Sequence, residues 1–588
     1  MKKRIPALLL VLCMLLGLLA ACGSSDSTTT DAEETETAAE ETEEAEEAEE
    51  TEEAEEAEEE AAEETEEAAE EEAEEAAEET AEEEAEEETA ETAAAAVTLP
   101  IMEEETTYTM WATLHPAYMN YVTDLADLTI WQEIGERTNI YFDFTAVSGI
   151  TASDTFALMI AGGDYLDVIC EMDNFSEGVE AAIDQEIIQD ISALIEEYCP
   201  TYWDLIKADD TAYLTLVTDS GYVGTLATIR GEGASTDLGG PILRSDWLEE
   251  FGLEDPETLD DLKEYLVAAY ETYGAVMEFS AEGLDSLLMS CYNLAEYIVE
   301  DGTVYSIYSS DRFRSYMETA AEWYAEGLID PDFYSIQDTT ENATKMANGQ
   351  YSLVNNRAQG FATIMQYVTD PDSTITLHAI SYVPADAADT IHVGQENALI
   401  TDDDTWAIST ACEDPVPLLQ LVEYMCTEEG QLLFNYGVEG LTYELDENGD
   451  PQWTEFVTDN SEYAFDVQEY LYATASIPGI RDFNREMYDY DEEELRAAEL
   501  FSTMDTSWNY PDYAVMTSDE SSTYSAIESD LSTYAESMVL AFITGQTELN
   551  DSTWEDFTST LESMGLQDMI DLKQAAYDRA QEKLASLS

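Results

Sequence analysis

The chain of 588 residues predicts an α/β body carried behind an export signal and a long acidic tail. Three observations lead there. Lys2, Lys3 and Arg4 precede an apolar run; a tract rich in Glu, Ala and Thr follows without one basic residue; and beyond Pro100 short apolar strands alternate with amphipathic helices.

The apolar run Ile5 to Ala21 is broken by Pro6, is barely long enough to span a bilayer, and ends in Leu19-Ala20-Ala21-Cys22. That ending resembles the lipobox of bacterial lipoproteins. The resemblance implies a signal peptide over 1–21, a lipid on Cys22 and a mature chain tethered to the outer face of the cytoplasmic membrane.

From Gly23 to Ala96 there are 38 acidic residues and no Lys or Arg. Dense like charges at i,i+4 oppose the helix that Ala and Glu otherwise favour, and nothing there forms a core. A disordered acidic linker over 22–105 is expected.

Removing that tract and the three leading bases leaves 97 acidic and 15 basic residues in the body, a net charge of −82 over 492 residues. Nucleic acid and anionic membrane surfaces both require a basic patch, so neither is expected as a partner; the membrane is reached through the lipid alone. Cys170, Cys199, Cys291, Cys412 and Cys426 show no CxxC and no ligand spacing with histidine. They read as small buried residues, with no metal site and no cofactor expected.

In the body, Tyr108 to Ala112 reads as a strand, Leu128 to Thr138 as an amphipathic helix and Ile140 to Val147 as an alternating strand. A helix over Asp154 to Ala161 and a buried strand over Leu166 to Cys170 complete a parallel-sheet pattern. Helices are predicted at Leu259 to Tyr273, Phe313 to Glu326, Pro415 to Glu429 and Gln567 to Leu584. Asp446, Asn448 and Gly449 form part of a calcium-loop pattern but lack its terminal glutamate, so an Asn-Gly hairpin between Tyr443 and Trp453 is the reading; Asp402 to Asp404 read as a solvated loop.

Several motifs then resemble one family in the right order. The run Phe156 to Ile169 (FALMIAGGDYLDVI) and Ile242 to Leu253 (ILRSDWLEEFGL) with Pro256-Glu-Thr-Leu259 are similar to segments of extracellular solute-binding proteins of ABC importers. Trp323 to Phe333, Glu428 to Gly430 with Asn435 to Gly440, and Gly565 to Met569 with Ala575 to Arg579 are similar to the large oligosaccharide- and aldouronate-type lipoprotein branch. The chain departs from it in its acidity and in Leu166 where proline is common.

The resemblance implies a two-lobed, class II periplasmic-binding-protein-like fold over 106–588. The first lobe is expected at about 106–243 and 406–480, the second at about 244–405 and 481–588. Arg244 to Leu248 should mark the first crossing between lobes. Ligand is expected between the lobes, at the carboxyl ends of the first-lobe strands. That places Trp111, Thr113 and His115 beside Glu171, Asp173 and Asn174, and in the second lobe it places Asn355, Asn356 and Arg357. Trp111, Trp406 and Tyr443 are expected to offer stacking faces to a sugar, and the amides and carboxylates to take its hydroxyls. Trp247 and Trp323, in helical periodicity, are assigned to core.

The implied function is capture of a carbohydrate, an oligosaccharide above all, by a monomer that delivers it to ABC permease subunits. A peptide or amino-acid receptor of the same fold is the alternative, and an exported glycosidase a more distant one. The chain has no HExxH, GxSxG or GxxxxGK[ST] pattern, and His115, His378 and His392 are scattered.

Overall fold

The computed structural model describes residues 97–588, except 115–118, 120, 232, 282, 336–338, 370–373, 401–404, 461–462, 464, 474–476 and 588. Cys22 and the signal therefore lie outside the described residues, as do His115 and the Asp402 to Asp404 loop.

Two sheets organise the body. The first carries β1 (Thr106–Leu114), β2 (Ile140–Ser148), β3 (Val168–Cys170) and β4 (Thr225–Ala227). A short β5 (Ile229–Arg230) leads to the second sheet, built on β6 (Gly239–Arg244) and β7 (Val276–Met277). After a hairpin of β8 (Tyr297–Glu300) and β9 (Thr303–Ser306), the second sheet gains β10 (Tyr351–Arg357) and β11 (Leu377–Ala379), and β12 (Thr405–Ile408) returns to the first. The sheet orders are β2-β1-β3-β12-β4 and β11-β6-β10-β7.

β1 pairs parallel with β2 and β3, whereas β12 runs antiparallel between β3 and β4. Alternate residues of β1 serve opposite faces, as the two-residue period of a strand requires. Met110 and Ala112 join one core with Ile134, Trp131 and Trp406; Trp111 joins a second with Phe156, Ile169 and Ala407. The second sheet is likewise covered on both faces. Leu243, Met277 and Leu353 meet the helical core around Phe313, Trp323 and Phe542, while Ile242, Tyr351 and Val354 meet Phe361 and Phe501. Trp247 and Trp323 are both buried, as expected.

The predicted helices are present with small shifts, and one is broken. Pro415 to Glu429 divides into Val416–Met425 and Glu428–Tyr436, with Thr427 capping the Gly430 N–H. A Cβ at Gly430 would lie 1.9 Å from the Tyr424 carbonyl oxygen, so the second helix packs at an angle that only glycine permits. The hairpin of β13 (Tyr443–Leu445) and β14 (Pro451–Trp453) turns on Asp446, whose Oδ1 accepts the N–H groups of Asn448, Gly449 and Asp450 at 2.7, 3.0 and 3.0 Å.

The chain crosses between the sheets through Ala227 to Gly239 and again between Ala379 and Thr405. A third strand, β15 (Ile480–Arg481), pairs parallel with β5, which joins two crossings side by side. The second sheet thus begins at Gly239, and Arg244 to Leu248 lies inside it and its covering helix rather than at the crossing expected from the sequence. At the amino end, Val97, Leu99, Ile101 and Met102 pack against the first core, and the Met102 N–H donates to the Thr138 carbonyl at 3.1 Å. The folded body therefore takes in the last residues of the stretch read as linker.

Candidate ligand-binding site

Strand direction places the candidate site. The carboxyl ends of β1 and β3 and the start of β12 lie at one edge of the first sheet: Trp406 pairs with Cys170, and the Glu171 N–H donates to the Thr405 carbonyl at 3.1 Å. The chain leaves this sheet at Ala227 and enters the second at Gly239, which pairs with Arg357 at the end of β10. Both the strand ends of the first sheet and the Asn355 to Arg357 end of β10 thus border the crossing segments, the position in which an interlobe ligand would be held.

On the first sheet, Glu171 adopts a left-handed backbone, φ 57°, uncommon for a residue with a Cβ. The Thr113 hydroxyl donates to its carboxylate. The Asn174 amide donates to the Glu171 carbonyl at 3.1 Å and accepts from the Ser153 hydroxyl at 3.1 Å. Asp173 sits in the same 3-10 turn, Met172–Asn174.

On the second sheet, the Asn355 N–H donates to Glu278 at 3.0 Å and its side-chain amide to the Ser286 hydroxyl at 2.7 Å. Asn342 donates to the other Glu278 oxygen. Burial, with Asp285 nearby, pushes the Glu278 carboxyl up to about 8; burial likewise raises Asp285 to about 6. Asn356 accepts from the Arg357 N–H at 2.9 Å, and Arg357 is exposed.

Three expected stacking faces are corrected. Trp111 is 2% exposed and meets Phe156 edge-on at 5.4 Å. β1 runs on to Leu114, so Trp111 is interior to the strand and covered by the helix Ala152–Gly162 instead of standing at the strand's end. Trp406, 2% exposed, lies parallel to Trp131 at 6.4 Å on a strand enclosed by neighbours on both sides. Tyr443 is buried against Tyr436 in the core under the β13-β14 hairpin. None of the three offers an open ring face.

What the sequence did not reveal is a cluster of arginines at the crossings. Arg481 grips Asp237 at 2.7 and 3.1 Å and Glu486 at 2.7 and 2.9 Å. Arg485, wholly buried, contacts Glu469 and Glu486, and Thr236 donates to Glu486. Arg230 and Arg357 also point at Asp237, at 3.5 and 3.7 Å. The two arginines hold the Glu486 carboxyl well below its ordinary range in spite of burial. They come from three segments far apart in sequence, 230–237, 357 and 469–486; the parallel pairing of β5 with β15 sets the first beside the third, and the pairing of Gly239 with Arg357 adds the second. Among the described residues no group of three or more His, Cys, Asp and Glu is arranged to hold a metal. All five body cysteines are buried, and none is in a disulfide among the described residues.

No family model matches the sequence. Lipoprotein LipO of Bacillus subtilis is 25% identical over 255 residues, covering 40% of this chain and half the length of that relative. Solved structures match far more of it. The alginate-binding protein AlgQ2, solved without calcium ion, is 19% identical and covers 81% of this chain and 99% of its own, with a TM-score of 0.67. An HMO-binding, ABC-transporter-associated solute-binding protein from Bifidobacterium longum infantis is 16% identical, with 81% and 99% coverage and a TM-score of 0.64. The ABC-transporter substrate-binding protein FusA of Streptococcus pneumoniae, in complex with kestose, is 17% identical, with 81% and 100% coverage and a TM-score of 0.64. Nearly the full length of each is superimposed, and the chain therefore has the two-lobed fold of solute-binding proteins.

Proposed function

We propose that this chain is the extracellular, lipid-anchored receptor of an ABC importer and that it captures an oligosaccharide between its lobes. The observation that carries this reading is the likeness, over 81% of this chain, to proteins described as binding alginate and HMO and to one in complex with kestose, which covers 99–100% of those chains. The edge chemistry agrees with it. Glu171, Asn174, Asn355 and Asn356 supply carboxylate and amide groups that suit sugar hydroxyls. Lipid on Cys22, monomeric state and delivery to permease subunits belong to the same reading.

Catalysis is not part of it: the carboxylates at the site serve as hydrogen-bond partners within each sheet edge, and the relatives named above are described as binding proteins. The test is a thermal-shift and calorimetric screen of the purified body against neutral and acidic oligosaccharides, amino acids and peptides. A ligand that binds only the folded form raises the melting temperature. Stabilisation by an oligosaccharide supports the reading. Stabilisation by peptides alone transfers the chain to the alternative receptor class.

A further inference from the structure

The two sheets are joined by the crossing segments, and their flanking elements meet at a second place. The last helix, Leu566–Leu587, starts in the core of the second sheet with Leu566, Met569 and Ile570, yet Arg579 and Lys583, further along it, both reach Asp219. Asp219 belongs to the first sheet's side. It stands in the turn between the helix Asp210–Leu216, whose Ala212 and Leu216 lie in the first core, and β4. Arg579 Nε donates to its Oδ2 at 2.6 Å, and Lys583 Nζ donates to its Oδ1.

Each partner is fixed from its own side. The Thr218 N–H donates to the Tyr222 carbonyl and the Gly221 N–H to the Thr218 carbonyl, both at 3.0 Å, and Gly221 supplies the positive φ, 81°, that closes this turn. The Ser220 hydroxyl donates to Glu180 at 2.6 Å, on the helix Gly178–Asp184 that follows the Met172–Asn174 turn of the candidate site. Opposite, Arg579 makes a two-pronged pair with Glu520 at 2.8 and 2.6 Å and donates to the Val515 carbonyl at 3.3 Å. Beside it the Ser525 hydroxyl, on the helix Ser518–Ile543, donates to the Ser176 carbonyl at 3.3 Å. The contact thus begins two residues beyond that turn and ends at Asp219.

A lone ion pair on a surface contributes little, because two long side chains must be ordered to make it. Here that ordering is already in place: Glu520 sets the Arg579 fork, one carboxylate serves two cations, and the Asp219 side chain is only 22% exposed. The body has 15 basic residues against 97 acidic ones, and two of the 15 are committed to this one acid.

We propose that Asp219, Arg579 and Lys583 form an electrostatic latch between the lobes, which holds part of the ligand-free population closed. Rotation about the crossing segments carries the turn at Asp219 away from the last helix, so the pairs exist in the closed arrangement alone and bias the equilibrium towards it. The latch sets how much of the closing free energy is left for a ligand to supply, since a receptor already partly closed loses less of its intrinsic affinity to closure. It requires the two-lobed fold and is independent of the ligand's chemistry.

The test is small-angle scattering of the ligand-free, lipid-free mature chain, compared with Asp219→Asn at equal salt so that the acidic tract contributes equally to both. At about 0.1 M salt the variant should have the larger radius of gyration, with an open-to-closed ratio raised roughly 3- to 10-fold. At about 1 M salt, where the screening length has fallen from about 10 to about 3 Å, the native chain should open and the difference should vanish. Asp219→Lys combined with Lys583→Glu rebuilds the pair with its charges exchanged and should return the native curve. If Asp219→Asn fails to fold, Lys583→Gln, whose side chain meets no acid but Asp219, takes its place. Identical scattering of native and variant chains, with or without a lower melting temperature, makes the contact a fixed anchor and overturns the latch. A difference that survives at about 1 M salt, or that the charge exchange does not reverse, comes from damage to the turn and overturns it too.

Discussion

The main-chain N–H of Asn355 donates to the Glu278 carboxylate at 3.0 Å, tying the carboxyl end of β10 to a buried acid on the segment after β7. Because burial raises the Glu278 carboxyl from 4.5 to about 8, the folded state holds this proton more tightly than the unfolded one. The group's contribution to stability is then fully present below its unfolded pKa and is lost as pH rises towards about 8.

Glu278→Gln, which stays neutral, should flatten that loss. Asp285 titrates near 6 by the same cause, so the informative window is pH 6.5 to 8. Across it the native chain should lose up to about 2 kcal/mol more than the variant in urea unfolding. Equal slopes for both proteins would show that Glu278 is already ionised there.

Trp111→Ala and Trp406→Ala should each destabilise the body by about 3–5 kcal/mol, because each ring fills a core position that does not collapse. Urea unfolding measures the loss, and calorimetry on the folded fraction measures affinity. A variant of normal stability that no longer binds ligand would restore the stacking role that their burial denies.

These tryptophans also show where sequence reading stops. Period and apolar content located β1, β2 and β3 and most long helices, because each buries a face of its own. Whether Trp111 closes a strand or lies inside it depended on two further residues of pairing with β2, which no local pattern encodes. The 26-residue helix Ser518–Ile543 escaped for another reason. Its first half is rich in serine and threonine, poor helix formers, and it is held by a Thr517–Glu520 capping box and tertiary packing. Asn174 was legible as a polar residue beyond the end of β3, whereas Asn355, Asn356 and Arg357 were reached only through the family resemblance. Arg230 and Asp237 were not, since their meeting with Arg481 is made by a pairing between strands some 250 residues apart.

Arg485→Met should cost about 3–5 kcal/mol, since it leaves Glu469 buried without its guanidinium and strips Glu486 of one of two. The measurement is urea unfolding at pH 7. A neutral effect would mean that Glu469, whose carboxyl burial already pushes upward, takes up a proton in place of its lost partner.

A chain beginning at Val97 should melt at the temperature of the full mature protein, because the acidic tract supplies nothing to pack. Beginning at Glu103 instead removes Val97, Leu99, Ile101 and Met102 from the first core and should lower the midpoint by several degrees. Identical melting of the two shortened chains would show that residues 97–102 contribute no packing energy.

Capture between two lobes is tested most directly by small-angle scattering of the body with and without a saturating oligosaccharide, the sugar being recovered afterwards and weighed by mass spectrometry. A ligand that touches both lobes favours the closed arrangement by its differential affinity, so the radius of gyration should fall and the sugar should return intact. A tight-binding sugar that leaves the scattering curve unchanged, or that comes back cleaved, would contradict a hinged receptor.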